Sequence, residues 1–281
     1  MTRRKLEELF FRLLMVLATV IVVGSFFLIV GTIFIKGIHY MSWDMITKTP
    51  GGGFYIGKEG GVLNAIIGSM YVAGGATVLG LFISIPVAIF INMYMDGKKF
   101  LSNSLRVAFD VLFGIPSIVY GAFGFLIMVY FGIRASLLGG IIAVTLLVIP
   151  ILVRTLDEVI RTVPFELRDA ALSLGATRWE MAKVVLRQIR SGIFTAILLS
   201  FGRAIGDVAS VLFTAGFSDN IPTSLHEPAA TLPLAIFFQL SSPVEEVQGR
   251  GYASALILTI IVLVITVLSD ILIKKFSKHK I

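Results

Sequence analysis

Long apolar stretches separated by short polar segments dominate the chain. Four of them, at 13–35, 111–133, 135–153 and 251–269, run without a single charge. Each reaches the roughly twenty residues an α-helix needs to cross about 30 Å of hydrocarbon. A fifth lies within 60–95, its apolar part beginning near Ala65, and a sixth, about 191–217, is apolar except for Arg203 and Asp207. The pattern predicts an all-α, polytopic membrane protein with six transmembrane helices. One polar island, 154–190, interrupts it.

Composition agrees with the pattern. Of 281 residues 57% are hydrophobic and only 15% charged, and mean hydropathy is +0.94, outside the range of a soluble globular domain. There is no cysteine, which excludes disulfides, thiolate metal sites and cysteine nucleophiles. His39, His226 and His279 are far apart and lack ligand spacing, so neither a metal nor a cofactor is expected.

The net charge of +7 points to membrane topology rather than nucleic acid, because the basic residues gather beside spans. Eighteen lysines and arginines fall in the N-terminus, the second connection, the island and the tail. The opposite side holds Lys36, Lys48, Lys58, Arg134 and Arg250. The positive-inside rule then puts both termini and the island in the cytoplasm of a multi-pass cell-membrane protein. The first apolar run is too long for a signal-peptide core and lacks a small-x-small cleavage site, so it is read as an uncleaved span.

The island reads as helix at both ends. Asp157, Glu158, Arg161 and Glu166 alternate in sign at helical steps, Pro164 interrupts, and a second helix is predicted from Phe165 to Leu174. Gly175 supplies a stop that reverses the chain, and Trp179, Met181, Val184 and Val185 place an apolar stripe on the next helix. Two readings of this hairpin stand open: an amphipathic linker lying on lipid, or a protein-docking element, which the small face of Ala170 and Ala171 favours.

Asp169-Ala170-Ala171-x-x-x-Gly175 resembles the EAA motif of ABC-transporter permeases, in which such a cytoplasmic hairpin docks into a groove on the ATPase subunit. Two departures are visible. Asp replaces the usual first Glu, and Val184-Val185-Leu186-Arg187 stands where the family often has an apolar-Leu-Pro ending, one residue short and without the proline. Three further segments are similar to the phosphate-specific ABC permeases: Gly114-Ile115-Pro116-Ser117-Ile118-Val119-Tyr120-Gly121, Arg203-Ala204-Ile205-Gly206-Asp207-Val208-Ala209, and Glu227-Pro228-Ala229-Ala230-Thr231-Leu232-Pro233-Leu234. The last two, with Leu212-Phe213-Thr214-Ala215, look most like the PstA-type partner of that heterodimer.

The resemblance runs from about residue 60 to the last span and implies a MetI-like importer permease fold. It implies a homologous permease as heterodimer partner, two cytoplasmic ATPase subunits and an extracytoplasmic phosphate-binding protein. Arg168, Asp169, Ala170, Ala171, Gly175, Ala176 and Trp179 are the coupling candidates it marks. The chain divides on this reading into 1–64, an N-terminal helix with its extracytoplasmic loop, and 65–281, the permease domain carrying the coupling loop 154–190. It carries no ATPase motif and is not read as an enzyme.

Arg203 and Asp207 also invite a physical reading. A charge at the centre of a span costs about 2.5 to 3.5 kcal/mol on insertion scales, so two need a compensating arrangement. Four residues apart, they share a helix face, and Gly202 and Gly206 beside them let another helix approach. Either they form a buried salt bridge that fixes packing, or the face lines an aqueous pathway where Arg203 attracts an oxyanion and Asp207 limits its grip. An arginine fork suits a tetrahedral oxyanion because it donates two parallel hydrogen bonds. Arg154 is read either as a second anion contact or as a plain topological anchor, and Ser117 joins the pathway candidates. Gly114 and Pro116 weaken the third span, and irregular backbone at that depth must face the pathway or a partner. Pro86 predicts an ordinary kink.

Gly52-Gly53-Phe54-Tyr55-Ile56-Gly57-Lys58 mimics P-loop spacing, but Glu59 replaces the Ser or Thr that would hold magnesium and the segment lies away from cytoplasmic ATP. Competing readings are a permease for molybdate, sulfate or another small solute, a secondary transporter, and an intramembrane hydrolase. The transporter reading leaves the hairpin unexplained, and the hydrolase reading lacks H-E-x-x-H and G-x-S-x-G.

Overall fold

The computed structural model of the chain describes residues 3–51, 59–95 and 99–277; the P-loop-like segment at 52–58 lies outside the described residues. Helix α1 (Arg3–His39) leads to the short α2 (Trp43–Thr47) and the long α3 (Leu63–Ile89), which continues as a π-helix (Phe90–Tyr94). Next come α4 (Lys99–Gly114), α5 (Ser117–Tyr130) and α6 (Leu137–Arg161). The island folds as α7 (Phe165–Ser173) and α8 (Arg178–Gln188), followed by α9 (Arg190–Ile205), α10 (Leu232–Leu240) and α11 (Glu245–Ser277).

Four of these, α1, α3 with its π-helical extension, α6 and α11, are long and apolar enough to cross a membrane alone. The count reaches six if the bent pairs α4–α5 and α8–α9 are each one span. Two expected spans therefore take a different form. The run at 111–133 is not one helix: α4 and α5 meet at 96° across Ile115 and Pro116. Proline lacks the N–H that would continue the ladder and disfavours helical backbone in the residue before it. The run at 191–217 stops being helical at Ile205, because the Asp207 carboxylate captures the Ser210 N–H at 2.8 Å and offers the backbone another partner.

Pro86 is accommodated inside α3, and the kink expected there takes the form of a widened turn a few residues later. The Phe90 N–H is shared between the Pro86 and Val87 carbonyls, and the π-helix begins at Phe90. Single π-turns of this kind mark sites where a helix is re-aimed.

The principal core runs along α3 and α6 and takes in α8, α9 and the 211–215 turn, with Val72, Ala76, Val144, Val148, Leu152, Leu156, Met181 and Val185 among its buried members. Close approach of α3 to α6 depends on small residues: a Cβ at Gly80 would lie 2.9 Å from Leu152 and 3.0 Å from Val148. A second cluster unites Met45 and Val62 with Ala65, Ala230, Leu232, Ala235, Ala253 and Ile257, so α2 packs with α3, α10 and α11. By contrast α1 is exposed along nearly its whole length. It meets α11 near Gly37, where Lys36 lies 4.9 Å over the Tyr252 ring.

Candidate functional site

Helix α9 ends with Gly206 as its cap, and Asp207 opens the irregular turn that follows. One Asp207 oxygen accepts from the Ser210 N–H and hydroxyl; the other lies 3.3 Å from Arg203 Nη1. The pair is lopsided in exposure, with the Arg203 side chain 46% accessible and that of Asp207 only 3%. A buried carboxylate is thus satisfied on both oxygens while its guanidinium partner keeps an open side. Such an arginine retains donors for an external oxyanion.

Three of the segments singled out in sequence converge on this turn. From α5, Gly121 sits so close that a Cβ there would lie 2.6 Å from the Ala209 carbonyl oxygen. The 227–234 segment joins through Ala229 N–H donating to Ala215 O at 2.9 Å, and is anchored to α3 by Leu232 N–H donating to Ser69 Oγ at 2.7 Å. The same region caps α6: Leu137 and Leu138 donate to the carbonyls of Glu227 and Leu225, each at 2.8 Å, and Ser136 donates to Thr214 O at 3.0 Å. The first-turn donors of a buried helix end are thereby satisfied. Ser117 is half-buried at the first position of α5, just after the break at Gly114 and Pro116. Across that break the Tyr120 hydroxyl donates to Leu112 O at 2.7 Å, tying α5 back to α4.

Arg154 is not part of this convergence. It lies fourteen residues beyond Gly140, whose position faces Ala215, so about 20 Å further along α6 at 1.5 Å per residue. There two carboxylates engage it, Asp110 at 3.2 Å and Glu158 at 3.3 Å, and its guanidinium lies 5.5 Å from the Phe113 ring.

The hairpin has a physical basis for its Ala-x-x-x-Gly spacing. Gly175 takes φ +81°, a conformation costly for any residue with a Cβ. In that conformation Gly175 N–H reaches Leu172 O at 2.9 Å and Ala176 N–H reaches back to Ala171 O at 3.1 Å, closing the end of α7. Ala171 and Ala176, both half-buried, meet where the chain crosses itself. Thr177 and Glu180 then form a reciprocal capping box that starts α8. The buried stripe on α8 is Met181, Ala182 and Val185; Trp179, expected in that stripe, points outward at 52% exposure. Helix α7 buries no residue, Asp169 and Ala170 are exposed, and Phe165, Leu172 and Leu174 present apolar surface, as Trp179 does. Two arginines orient the hairpin: Arg168 donates to Ile160 O at 2.7 Å at the end of α6, and Arg178 reaches the carbonyls of Met93 and Tyr94 at 3.4 Å each. Although the proline is missing, α8 and α9 still bend by 71°, at Ile189.

A polar cluster whose members lie far apart in the sequence is assembled between α4, α6 and the π-helix. Arg106 Nε lies 3.0 and 3.2 Å from the two Asp157 oxygens, and Nη2 adds a bond of 3.1 Å. Asn92 donates to Asp157 at 2.7 Å and to Ala88 O at 2.9 Å, and accepts from Arg106 at 3.4 Å. With Arg154–Asp110 one turn away, α4 and α6 exchange two ion pairs of opposite order, bordering a cavity of about 220 Å³ lined also by Glu158 and Arg161. The available signal is weak: Arg106 and Asp110 sit four apart and Arg154 and Asp157 three apart, arginine first in both, so the two pairs complement each other only when the helices pack in opposite directions.

Residues 80–280 match the family described as the binding-protein-dependent transport system inner membrane component. The phosphate transport system permease protein PstA of Haemophilus influenzae is 33% identical over 264 residues, 92% of this chain and 90% of that protein. PstA of Yersinia pestis is 37% identical over 246 residues, 87% and 82% of the two chains. A probable ABC transporter permease, YqgI of Bacillus subtilis, is 30% identical over 276 residues, 92% and 91% of the two. With a described fold that is all-helical and multi-pass, the chain belongs to the family of inner-membrane permease components of binding-protein-dependent ABC transport systems.

Proposed function

We propose that this chain is the PstA-type permease subunit of an ATP-driven inorganic phosphate importer, forming half of the translocation pathway. The observation that carries the reading is the lopsided Arg203–Asp207 pair, a half-exposed guanidinium steadied by a buried, fully satisfied carboxylate. Arg203 would donate to a tetrahedral oxyanion, while Asp207 limits its grip so that the anion leaves again. The names of the relatives support phosphate as that anion. Ser117 borders the same pathway, and Arg154, held by two carboxylates, acts at its far end. The break at Gly114 and Pro116 faces the pathway or the partner.

The hairpin's exposed apolar face suits docking to an ATPase. In this reading Arg168, Asp169, Ala170, Ala171, Gly175, Ala176 and Trp179 make or shape that contact, and both termini and the hairpin are cytoplasmic. A homologous permease completes the pathway, two ATPase subunits drive it, and an extracytoplasmic phosphate-binding protein delivers the anion. ATPase closure moves the hairpin, and the spans rock between inward- and outward-open states.

Co-purification with these partners, followed by uptake and ATPase assays with phosphate, sulfate and molybdate, tests the proposal. Phosphate-dependent uptake and hydrolysis are expected. Stimulation by sulfate or molybdate alone would transfer the site to another oxyanion. A cysteine placed at Ala171 should crosslink to the ATPase; labelling by lipid probes alone would return the hairpin to a surface linker.

A further inference from the structure

We propose that Asn92, Arg106 and Asp157 are positioning residues that lock the hairpin's entry helix to α4 and carry its displacement to the break at Pro116. The inference rests on the coupling role proposed for the hairpin. Asp157 stands one turn before Arg161, the last residue of α6, from which the hairpin is reached through a three-residue turn. A carboxylate gripped by an arginine through both oxygens and by an amide leaves α6 little freedom to slide against α4.

The geometry supplies a continuous set of contacts on either side of this lock. On one side, Arg178 at the start of α8 reaches the Met93 and Tyr94 carbonyls of the same π-helix that carries Asn92. The hairpin is therefore tied to the network at two places, at its entry through α6 by covalent continuity and just after its turn by Arg178. On the other side, α4 runs straight into the 96° break, and the Tyr120 hydroxyl spans it to Leu112. At the next residue of α5, Gly121 rests on the Ala209–Ser210 backbone, next to the Asp207 carboxylate that Ser210 holds. A shift of α6 relative to the π-helix cannot leave α4 in place without breaking the Arg106–Asp157 fork. The same shift reaches the anion site through packed backbone and not through a flexible linker.

The experiment uses the full complex with its ATPase, partner permease and binding protein in proteoliposomes, reading the ratio of ATP hydrolysed to phosphate imported. Asp157→Asn keeps the size of the side chain and one acceptor for Asn92, but removes the charge. Uptake is expected to fall at least tenfold while hydrolysis falls less than threefold, so the ratio rises several-fold. Arg106→Lys keeps the charge without the fork and should raise the ratio by a smaller factor. An unchanged ratio in Asp157→Asn, whether both rates persist or both fall together, overturns the proposal. If Asp157→Asn does not assemble, Arg106→Lys decides: a raised ratio supports the lock and a parental ratio ends it. Crosslinking from Ala171→Cys in the same backgrounds separates the two readings. No crosslink to the ATPase in the otherwise parental complex removes the coupling role itself; a retained crosslink with a parental ratio removes the lock alone.

Discussion

Two of the arginine–aspartate pairs among the described residues, Arg106–Asp157 and Arg203–Asp207, are built in opposite ways. Arg106 and Asp157 join different helices, the carboxylate is gripped through both oxygens, and the side chains are 25% and 9% exposed. Arg203 and Asp207 are neighbours on one stretch of chain, touch once at 3.3 Å, and divide exposure at 46% and 3%. The first arrangement spends every acceptor of the carboxylate on protein donors and fixes two elements to each other. The second fixes only the carboxylate, which Ser210 holds, and leaves the arginine open to a passing anion. Charge identity is the same in both pairs, so the number of shared bonds and the side left open decide whether a pair braces or binds.

The largest difference should appear when each arginine is removed. Arg106→Ala leaves Asp157 buried without its cation, a change worth about 3–5 kcal/mol for a buried pair, so detergent-purified complex should unfold at clearly lower temperature or fail to accumulate. Arg203→Gln should lower melting less, since that side chain is half exposed, glutamine still offers a donor, and the Ser210 N–H and hydroxyl continue to hold Asp207. Uptake at matched protein level should nonetheless fall roughly ten- to hundredfold, the loss of charge-assisted hydrogen bonds worth about 1.5–3 kcal/mol. Equal melting losses in the two variants would erase the distinction between brace and binder.

A smaller effect tests the side of Asp207 facing away from the arginine. Ser210→Ala removes the hydroxyl bond to the carboxylate while leaving the backbone bond, a change of about 1 kcal/mol that should lower uptake a few-fold. Smaller again is Arg154→Gln. Its side chain and both carboxylate partners are exposed by nearly half or more, and exposed pairs contribute about 0–1 kcal/mol and weaken with salt. Parental melting in this variant, against the loss in Arg106→Ala, would rank the two rungs between α4 and α6; equal losses would mean that they act as one unit.

These contrasts bear on what could be read from the sequence. Helices α1, α3, α6 and α11 were legible because their charge-free runs are themselves long enough to span a bilayer. The hairpin was legible for a related reason: its glycine and its small residues act within a few positions, and the proline that is missing proved dispensable for the bend at Ile189. Pro116 announced a weakness in the third span. The amphipathic helix before it was hidden, because its apolar end merged with the following run in a count of uncharged residues. The four-residue spacing makes Asp207 a helix-face partner of Arg203, whereas a short-range bond to the Ser210 backbone ends the helix first. Asn92, Arg106 and Asp157 were illegible as a group. They stand on three elements, each has an unremarkable local role, and only the packing of α4 against α6 brings them together.

A third carboxylate, Glu227, offers the mildest test of the same contrast, since among the described residues its partners are neutral donors. The Thr223 N–H donates to it at 2.7 Å and the Thr223 hydroxyl at 3.1 Å, and these bonds hold the pKa of this exposed carboxylate below the ordinary glutamate value. A depressed folded pKa contributes stability that is fully present above the unfolded value and is lost as pH falls through the folded one. Hydrogen–deuterium exchange protection of the Thr223 amide should therefore be level from neutral pH down to about pH 5, and should decline only once the pH drops below about 4.3. Glu227→Gln should flatten that decline while changing uptake by less than twofold, because the backbone carbonyl that caps Leu137 is untouched. Loss of Thr223 protection already near neutral pH would mean that the turn depends on something other than this carboxylate. A large loss of uptake in Glu227→Gln would show that a carboxylate with neutral partners supports transport as directly as Asp207 does.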